Sequence, residues 1–389
     1  MEETIPARKI LFMPFLKIPS GHYQAAKAII DGIYLEDEAI QCETVDILSY
    51  SLGPIERIVS GVYLEWIKRF PGIYSRVYRM NVYTNLAKTK RFRLYESIFL
   101  RHIRRLLNEQ KPNFIVCTHG LPSYLLNQLK KNGEVTVPVM NVYTDFFIHQ
   151  VWGIETIDYH LVPTMEVKSF LLNRGVREER IYLTGIPIHP KIPKAFADGT
   201  KSPSLPLSVL VTGGNLGVGS IEQLVLSIGK TGRIHYSVLC GKNISLLQKI
   251  KAMQNPHVKP LGYIECREKM NKLYEENDAV LTKPGGVTLS ECLFKRKPVF
   301  IYHSLPGQEE INLQALEKHG LVVPLYAHTT KSSAIEEKIL AFFSDENEQK
   351  NHMEKLESYL MMMTKREPWE IVRGLLGGTV KNGGGPTQS

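Results

Sequence analysis

Apolar runs that suit buried strands alternate with amphipathic helical segments along the first half of the chain. Residues 9–15 form an apolar run that predicts a strand, and the stripe of Ala25, Ile29 and Ile33 predicts a helix over 21–33. Further apolar runs, each predicted as a strand, occupy 42–48, 114–120, 138–145 and 160–164. Because strands and helices alternate, this half is predicted to form a parallel sheet covered by helices on both faces.

A second alternation of strands and helices begins after a break rich in proline. The break covers about 185–207 and is typical of a linker. Beyond it, the segments predicted as strands are LSVLVTGG, IHYSVLCG, VKPLGY, DAVLTKPGG, PVFIY and GLVVPL, with a helical segment after each of the first five. The sequence therefore predicts an α/β protein with two Rossmann-like, doubly wound domains that face an inter-domain cleft.

The position of the break sets the predicted domain boundaries. The first domain is predicted to span 1–185, the linker 186–206 and the second domain 207–376, with the option that the last helix packs back on the first domain. The glycine-rich end, 377–389, has the composition of a disordered tail. A length of 389 residues suits two domains of ordinary size.

Composition narrows the class of protein. With 43% hydrophobic and 22% charged residues, the chain is typical of a globular protein. Its five cysteines include no C-x-x-C pair, so neither a disulfide framework nor a zinc site is indicated, and a reducing cytoplasm is expected. The first apolar run is interrupted by Pro14, Lys17 and Pro19, which argues against a secretory signal and against a membrane-spanning segment.

Charge indicates an anionic partner. The formal net charge is +9, and residues 57–105 hold twelve basic against two acidic side chains, with aromatic residues interleaved. Basic and aromatic residues together suit the headgroup layer of an anionic membrane surface, which is the favoured interpretation. Single-stranded nucleic acid and a solvated basic helical face are the alternatives.

Five loops of the second half follow predicted strands. They occupy 212–220, 240–243, 262–265, 282–288 and 305–312. Ligands of open parallel sheets bind at this edge, where helix N-termini supply N–H groups. Gly213, Gly214 and Gly217 allow a diphosphate to approach the backbone closely, although a flexible glycine turn is the alternative. Neither a G-x-G-x-x-G fingerprint nor a Walker loop is present, which disfavours a nicotinamide enzyme and a P-loop NTPase.

Two of these loops flank one helix and one strand. In the first, Glu291 is predicted to reach a ribose diol, and the alternative is a capping box with Thr288. In the second, Gln308, Glu309 and Asn312 suit the hydroxyl groups of a sugar, and the alternative is a solvated acidic first turn of a helix.

Candidate residues of the first half also follow strands. His22 is expected in the first turn of a helix, where it acts as a base or orients an acceptor hydroxyl, unless it is purely structural. Asp145, His149 and Trp152 lie beyond another strand, and capping and packing are their alternative roles.

These motifs together resemble glycosyltransferase family 28. The likeness covers about 9–345 and is strongest to the processive diacylglycerol glucosyltransferases of Gram-positive bacteria and the plant monogalactosyldiacylglycerol synthases. The motifs that carry it are Ser20-Gly21-His22, Thr144-Asp145-Phe146 with His149 and Trp152, Thr184-Gly185-Ile186-Pro187, Cys240-Gly241-Lys242-Asn243, Thr282-Lys283-Pro284-Gly285-Gly286 with Glu291, and Pro306-Gly307-Gln308-Glu309-Glu310 with Asn312.

The resemblance implies the GT-B fold, a UDP-sugar donor held by the second domain, inversion at the anomeric carbon, and neither a cofactor nor a catalytic metal. The residues it implies for donor binding are Gly213, Gly214, Gly217, Lys242, Asn243, Tyr263, Ile264, Lys283, Gly285, Gly286, Val287, Thr288, Glu291, Gln308, Glu309 and Asn312. Those implied near the acceptor are Ser20, Gly21, His22, His149 and Trp152, with His22 or Asp145 as the catalytic base.

The predicted function is therefore an inverting hexosyltransferase that moves a hexose from a UDP-sugar to a lipid acceptor such as diacylglycerol in glycolipid synthesis. The expected location is the cytoplasm, with peripheral attachment to the inner face of the cell membrane. A UDP-sugar epimerase or hydrolase and a non-catalytic UDP-sugar-binding protein are the alternatives. Nucleic acid is not an expected partner, because the basic stretch lies away from the glycine-rich loops.

Overall fold

The computed structural model describes residues 8–15, 20–52, 91, 93–196, 204–213, 220–305, 307–325 and 333–378. Contacts along the chain divide it into two compact units. The first unit is Met1–Pro190 together with Met363–Ser389, and the second is Lys191–Met362.

The first unit contains a six-stranded parallel sheet. Its strands are β1 (Lys9–Met13), β2 (Gln41–Thr44), β3 (Phe114–Cys117), β4 (Val139–Val142), β5 (Tyr159–Val162) and β6 (Ile181–Leu183). The strand order is β2-β1-β3-β4-β5-β6, so the order reverses between β1 and β3. The helices that follow these strands are α1 (Gly21–Glu36), α2 (Ile47–Leu52), α3 (Arg93–Gln110), α4 (Gly120–Lys131) and α5 (Met165–Leu172).

Side chains of successive strand residues enter two different hydrophobic clusters, which shows that both faces of this sheet are covered. Leu11 and Met13 of β1 belong to one cluster, and Ile10 and Phe12 belong to the other. This alternation is the period of two expected for a strand. The predicted doubly wound sheet is therefore confirmed for the first unit.

The first sheet differs from the sequence prediction at several strand ends. The strands predicted at 9–15 and 138–145 end earlier, at Met13 and Val142. The predicted strand at 42–48 ends at Thr44, and Ile47 begins α2 after the buried Asp46, whose carboxylate accepts a hydrogen bond from Ser49. The predicted strand at 114–120 ends at Cys117, because Gly120 begins α4. The three-residue strand β6 was not predicted, since so short a run has no visible periodicity.

The second unit contains another six-stranded parallel sheet. Its strands are β7 (Leu207–Thr212), β8 (Ile234–Leu239), β9 (Val258–Leu261), β10 (Ala279–Thr282), β11 (Val299–Ile301) and β12 (Val323–Pro324). The order β12-β11-β10-β7-β8-β9 reverses between β7 and β10. Its helices are α6 (Ser220–Ser227), α7 (Ile244–Ala252), α8 (Arg267–Glu276), α9 (Gly286–Phe294), α10 (Gln308–Lys318), α11 (Ser333–Ser344) and α12 (Glu346–Met361). Every strand predicted for this half is present.

The last helix, α13 (Pro368–Gly378), belongs to the first unit and packs on α1. The Trp369 ring covers Gly32, and its Nε1 atom donates to Oε1 of Glu36 at 2.9 Å. Arg373 forms an ion pair with the same carboxylate at 2.7 Å. None of the helices in the described ranges has the length and apolar character needed to cross a bilayer.

Candidate active site

Segments that follow β1, β3 and β4 meet at one edge of the first sheet, where the strand order reverses. His22 lies in the first turn of α1, Thr118 follows β3, and Thr144 and Asp145 follow β4. The segments are neighbours because β1 pairs with β3 and β3 pairs with β4. Ligands of doubly wound sheets bind at such a reversal, so the two candidate bases lie at the expected edge.

Two oxygen atoms hold the Nδ1 atom of His22. Nδ1 lies 2.8 Å from the carbonyl oxygen of Thr118 and 2.7 Å from Oγ1 of Thr144. Because a carbonyl oxygen only accepts hydrogen bonds, we assign the proton to Nδ1, which leaves the lone pair on Nε2. This tautomer is the one that can accept a proton at Nε2.

Burial and the carboxylate of Asp145 shift the pKa of His22 in opposite directions. Burial lowers its pKa below the ordinary value of 6.5, and the charge of Asp145 and the hydrogen bond to Thr118 raise that pKa in part. Asp145 is itself buried. His22 is therefore neutral at pH 7, and a nearby negative charge stabilises the imidazolium that forms when Nε2 takes up a proton.

Another histidine, His119, lies at this edge, and the sequence analysis did not predict it as a site residue. Its ring stacks on Phe15 with centroids 4.2 Å apart and meets the His22 ring edge-on at 4.7 Å. Its Nδ1 accepts from the backbone N–H of Leu121 at 3.1 Å, which caps α4. Burial lowers the pKa of His119 well below its ordinary value, and the charges of His22 and His149 lower it further.

The segment after β4 brings His149 and Trp152 to the same edge. Their ring centroids lie 5.9 Å apart, and a Cβ atom at Gly120 would stand 2.8 Å from Cε1 of His149. Gly153 fixes the end of the segment: its N–H donates to Oγ of Ser123 at 3.0 Å, and its carbonyl accepts from Asn141 Nδ2 at 2.8 Å. These contacts show close packing around both predicted acceptor residues.

The other two predicted acceptor residues begin α1. Ser20 is the N-cap, and its Oγ accepts from the backbone N–H of Tyr23 at 3.4 Å. Gly21 is the first helical residue. Residues 16–19, just before them, lie outside the described part of the chain.

In the second unit, the glycine-rich loop starts at the reversal between β7 and β10. A Cβ atom at Gly213 would lie 3.0 Å from Cδ1 of Ile221 and 3.3 Å from Oη of Tyr302, so a larger side chain would crowd both neighbours. The two other predicted glycines, Gly214 and Gly217, lie outside the described residues.

The start of α9 lies on the other side of this reversal. Gly285 is the N-cap and makes no side-chain capping bond, and a Cβ atom there would meet nothing within 4 Å. Gly286, Val287 and Thr288 form the first turn, whose N–H groups lack helical acceptors and suit an anion. The alternative capping box is wrong, because Thr288 lies inside the helix and not at its N-cap.

The two loops around α9 and β11 are joined by hydrogen bonds. Nδ2 of the buried Asn312 donates to the carbonyl oxygen of Pro284 at 3.3 Å. Glu309 accepts from the backbone N–H of Leu305 at 2.6 Å. Burial raises the pKa of Glu309, whereas that hydrogen bond and the charge of Lys283 lower it in part. Because these groups are at least half-buried, a fully solvated acidic turn does not describe the start of α10.

Gln308 and Lys283 lie in these same two loops. Gln308 is the first residue of α10 and follows Gly307, whose φ of 97° favours glycine. Lys283 follows β10 directly and is 9% exposed. The positive charge of Lys283 acts on Glu309, so it adds positive potential where an anion would bind.

The loops after β8 and β9 meet through an aromatic contact. Nζ of Lys242 lies 5.0 Å from the ring centroid of the exposed Tyr263. Asn243 is the N-cap of α7, with Oδ1 accepting from the N–H of Leu246 at 2.9 Å. Ile264 follows Tyr263 in the loop that leads to α8. Asn243 thus has a structural role in addition to its predicted one.

Glu291, on α9, faces two residues of α8. Its Oε2 accepts from the hydroxyl of Tyr274 at 2.7 Å, and its Oε1 lies 3.9 Å from Nη1 of Arg267. Tyr274 and Glu291 are both buried. A buried carboxylate held in this way is not a helix cap, because its contacts are with side chains of another helix.

Four residues near these edges escaped the sequence prediction: His119, Arg267, Tyr274 and Tyr302. His119 was assigned to a strand that ends two residues earlier, so an earlier strand end would have identified it. The other three belong to a helix or to a strand end, and no local pattern shows which side chain they contact. In the described part of the chain, no group of three or more His, Cys, Asp or Glu residues could hold a metal ion.

Solved structures share the fold of this chain. The chain is similar to MurG of Acinetobacter baumannii, with a TM-score of 0.60, 13% identity and coverage of 95% of this chain and 99% of that one. It is also similar to a UDP-GlcNAc 2-epimerase from Neisseria meningitidis bound to UDP-GlcNAc, with a TM-score of 0.53, 12% identity and coverage of 96% and 100%. The two sheets and these similarities define a protein with the GT-B fold, as predicted.

Relatives define the family. The monogalactosyldiacylglycerol (MGDG) synthase model matches residues 22–188, and the glycosyltransferase family 28 C-terminal domain model matches 208–364. An uncharacterized glycosyltransferase of Bacillus subtilis, YkoN, is 40% identical over 95% of this chain and 97% of its own length. The processive diacylglycerol beta-glucosyltransferase of the same organism is 28% identical over 84% and 85%. The chain belongs to glycosyltransferase family 28, which confirms the resemblance.

Proposed function

We propose that this protein transfers a hexose, with inversion, from a UDP-sugar to the hydroxyl group of a lipid such as diacylglycerol. The observation that carries the proposal is the arrangement of His22, whose Nδ1 is held by Thr118 and Thr144 and whose Nε2 has the lone pair. A base at this position suits a reaction that removes a proton from an acceptor hydroxyl.

The donor is proposed to lie at the edge of the second sheet where the strand order reverses. Gly213 and the first turn of α9 offer backbone N–H groups to the diphosphate, with Lys283 close by. The carboxylate of Glu291 accepts from the ribose hydroxyls. Gln308 and Glu309, at the start of α10, take the hydroxyls of the sugar.

The reaction is a single displacement. The acceptor oxygen forms a bond to the anomeric carbon, and the bond between that carbon and the diphosphate oxygen breaks on the opposite face. The proton of the hydroxyl moves to Nε2 of His22, and UDP leaves with the bonding electron pair. N–H groups aimed at the departing diphosphate stabilise the charge that develops there, by several kcal/mol in such sites.

Asp145 is proposed to act through His22. Its charge raises the pKa of His22, so it favours the imidazolium formed during the transfer. The UDP-sugar is a co-substrate in this scheme, and the reaction requires neither a cofactor nor a metal ion.

A lipid acceptor is supported by the relatives, one of which is named as a diacylglycerol glucosyltransferase. A lipid substrate requires the protein to reach a bilayer surface, and the formal net charge of +9 favours an anionic one. Peripheral attachment to the cytoplasmic face of the membrane is therefore part of the proposal.

The test is release of UDP from a panel of UDP-sugars with diacylglycerol, a glycolipid or no lipid. The expected result is UDP release that requires both substrates and falls by at least about a hundredfold in His22→Ala. UDP affinity measured by calorimetry stays within about twofold, and His102→Ala on α3 is the matched control with normal turnover. Consumption of the UDP-sugar without lipid would instead indicate an epimerase or hydrolase. Binding of the UDP-sugar without any turnover would indicate a non-catalytic binding protein.

A further inference from the structure

Tyr274 is a tyrosine of α8 with almost no exposed surface. Its side chain is 1% exposed, and its hydroxyl donates to Oε2 of Glu291 at 2.7 Å. A hydrogen bond to an ionised acceptor is stronger than one between neutral groups. The phenol therefore fixes the position of one carboxylate oxygen from the core side of the helix pair.

Arg267 approaches the same carboxylate from the first turn of α8. Its Nη1 lies 3.9 Å from Oε1 of Glu291, and its side chain is 24% exposed. This distance is too long for a direct hydrogen bond. The guanidinium therefore attracts the carboxylate through its charge.

The same helix leads from the loop that contains Tyr263. That loop follows β9, and α8 begins at Arg267, four residues beyond Tyr263. One rigid element thus connects the loop that holds Tyr263, a predicted donor-binding residue, to both residues that contact Glu291. A change in this helix would affect Glu291 and the loop that holds Tyr263 together.

We propose that Tyr274 and Arg267 are positioning residues that hold the Glu291 carboxylate in the orientation that recognises the two ribose hydroxyls of the donor. The inference rests on the proposed function, because it assigns specificity within the same nucleotide site. An ionised carboxylate can accept about four hydrogen bonds, and the hydroxyl of Tyr274 supplies one of them.

The experiment compares the affinity for UDP with the affinity for 2′,3′-dideoxy-UDP by calorimetry. The wild-type protein is expected to prefer UDP by about a hundredfold, because two hydrogen bonds to a charged acceptor are lost in the analogue. In Tyr274→Phe the preference is expected to shrink at least about tenfold, through weaker binding of UDP, while the dideoxy nucleotide binds as before.

Tyr236→Phe is the matched control. Tyr236 is a buried tyrosine on β8 of the same unit, and it borders Glu336 rather than Glu291. It removes a hydroxyl group from a buried tyrosine of the same unit and should leave the preference for UDP unchanged. If Tyr274→Phe also keeps the wild-type preference, Tyr274 is merely structural and the inference is overturned.

Arg267 supplies a second test that does not remove a core side chain. Arg267→Met should lower the preference for UDP several-fold, and Arg267→Lys, which retains the positive charge, should restore most of it. Wild-type protein that binds UDP and the dideoxy analogue equally would overturn the inference while leaving the donor assignment intact. Wild-type protein that binds neither nucleotide would overturn the proposed function itself.

Discussion

His22 and Asp145 are rival candidates for the general base, and the hydrogen bonds around His22 favour the histidine. Its Nδ1 is held by two oxygens, so its basic nitrogen has a defined position. Asp145 acts on it through charge and raises its pKa. If Asp145 acts only through its charge, Asp145→Asn changes the pH dependence of turnover. If Asp145 is the base, the same substitution abolishes turnover.

Asp145→Asn is predicted to move the acidic limb of the pH–rate profile to lower pH. Burial already lowers the pKa of His22 from 6.5, and Asp145 offsets part of that effect, so removing its charge lowers the pKa further. The limb should shift by roughly half to one pH unit, with a reduced maximum rate because the imidazolium is less stable. The measurement is kcat/KM between pH 5 and 8. Loss of turnover at every pH would make Asp145 the base.

Buried neutral histidines also link the stability of the first unit to pH. Burial lowers the pKa of His149 and of His160 to about 3, whereas the unfolded chain has its ordinary value of 6.5. Between these values the unfolded state binds more protons, so stability falls as the pH falls below 6.5. Each histidine is expected to cost about 1 kcal/mol between pH 7 and pH 5.5.

The check is urea unfolding of the first unit at both pH values for wild type, His160→Gln and His102→Gln. The loss on acidification should be smaller by about 1 kcal/mol in His160→Gln, because that residue no longer gains a proton on unfolding. His102→Gln, on α3, is the comparison variant at a histidine that is not fully buried. Equal losses in all three proteins would contradict the assignment of His160.

At the scale of elements, periodicity was sufficient to predict most of the fold. In runs such as Phe114–Cys117 every residue is buried, as expected for a strand that is covered on both faces of its sheet. The errors lie at the ends of elements, where tertiary partners decide. His119 was placed inside the strand predicted at 114–120, but that strand ends at Cys117 and the His119 side chain caps α4. Strand β6 is too short for any pattern.

The candidate site was predicted as far as it depends on topology. Loops after parallel strands share an edge, so Lys283, Glu309 and Asn312 could be grouped from their positions alone. Which side chains face each other could not be predicted, because Tyr274 is 17 residues from Glu291 and looks like an ordinary core residue of a helix. Gly214 and Gly217, outside the described residues, stay predictions.

The packing of α13 on α1 gives a prediction at the same scale. Gly32→Ala should destabilise the first unit by about 1–3 kcal/mol, because the added methyl group would overlap the Trp369 ring. Gly377→Ala is the matched control, since a methyl group there meets nothing within 4 Å and alanine is the better helix former. Thermal unfolding of both variants is the measurement, and equal melting temperatures would show that α13 does not need the close contact.

At the scale of the whole molecule, the question is which surface carries the excess positive charge. Most of the basic stretch at 57–105 lies outside the described residues, but α3 is described and carries part of it. Phe99, Ile103 and Leu106 bury one face of this helix, whereas Arg93 and Arg101 are exposed. The exposed face therefore presents positive charge to the solvent.

Arg93→Glu combined with Arg101→Glu is predicted to weaken binding to vesicles that contain anionic lipid. Each basic residue near such a surface contributes on the order of 1 kcal/mol, so the double variant should lose at least about thirtyfold in partition coefficient. Lys251→Glu with Lys259→Glu, exposed positions of the second unit, changes the net charge equally and should lose less than about threefold. Flotation with anionic and with zwitterionic vesicles, at low and high salt, is the measurement. An equal loss of binding in both double variants would assign the attraction to net charge alone. Wild-type protein that binds neither kind of vesicle would refute the membrane proposal without affecting the donor site.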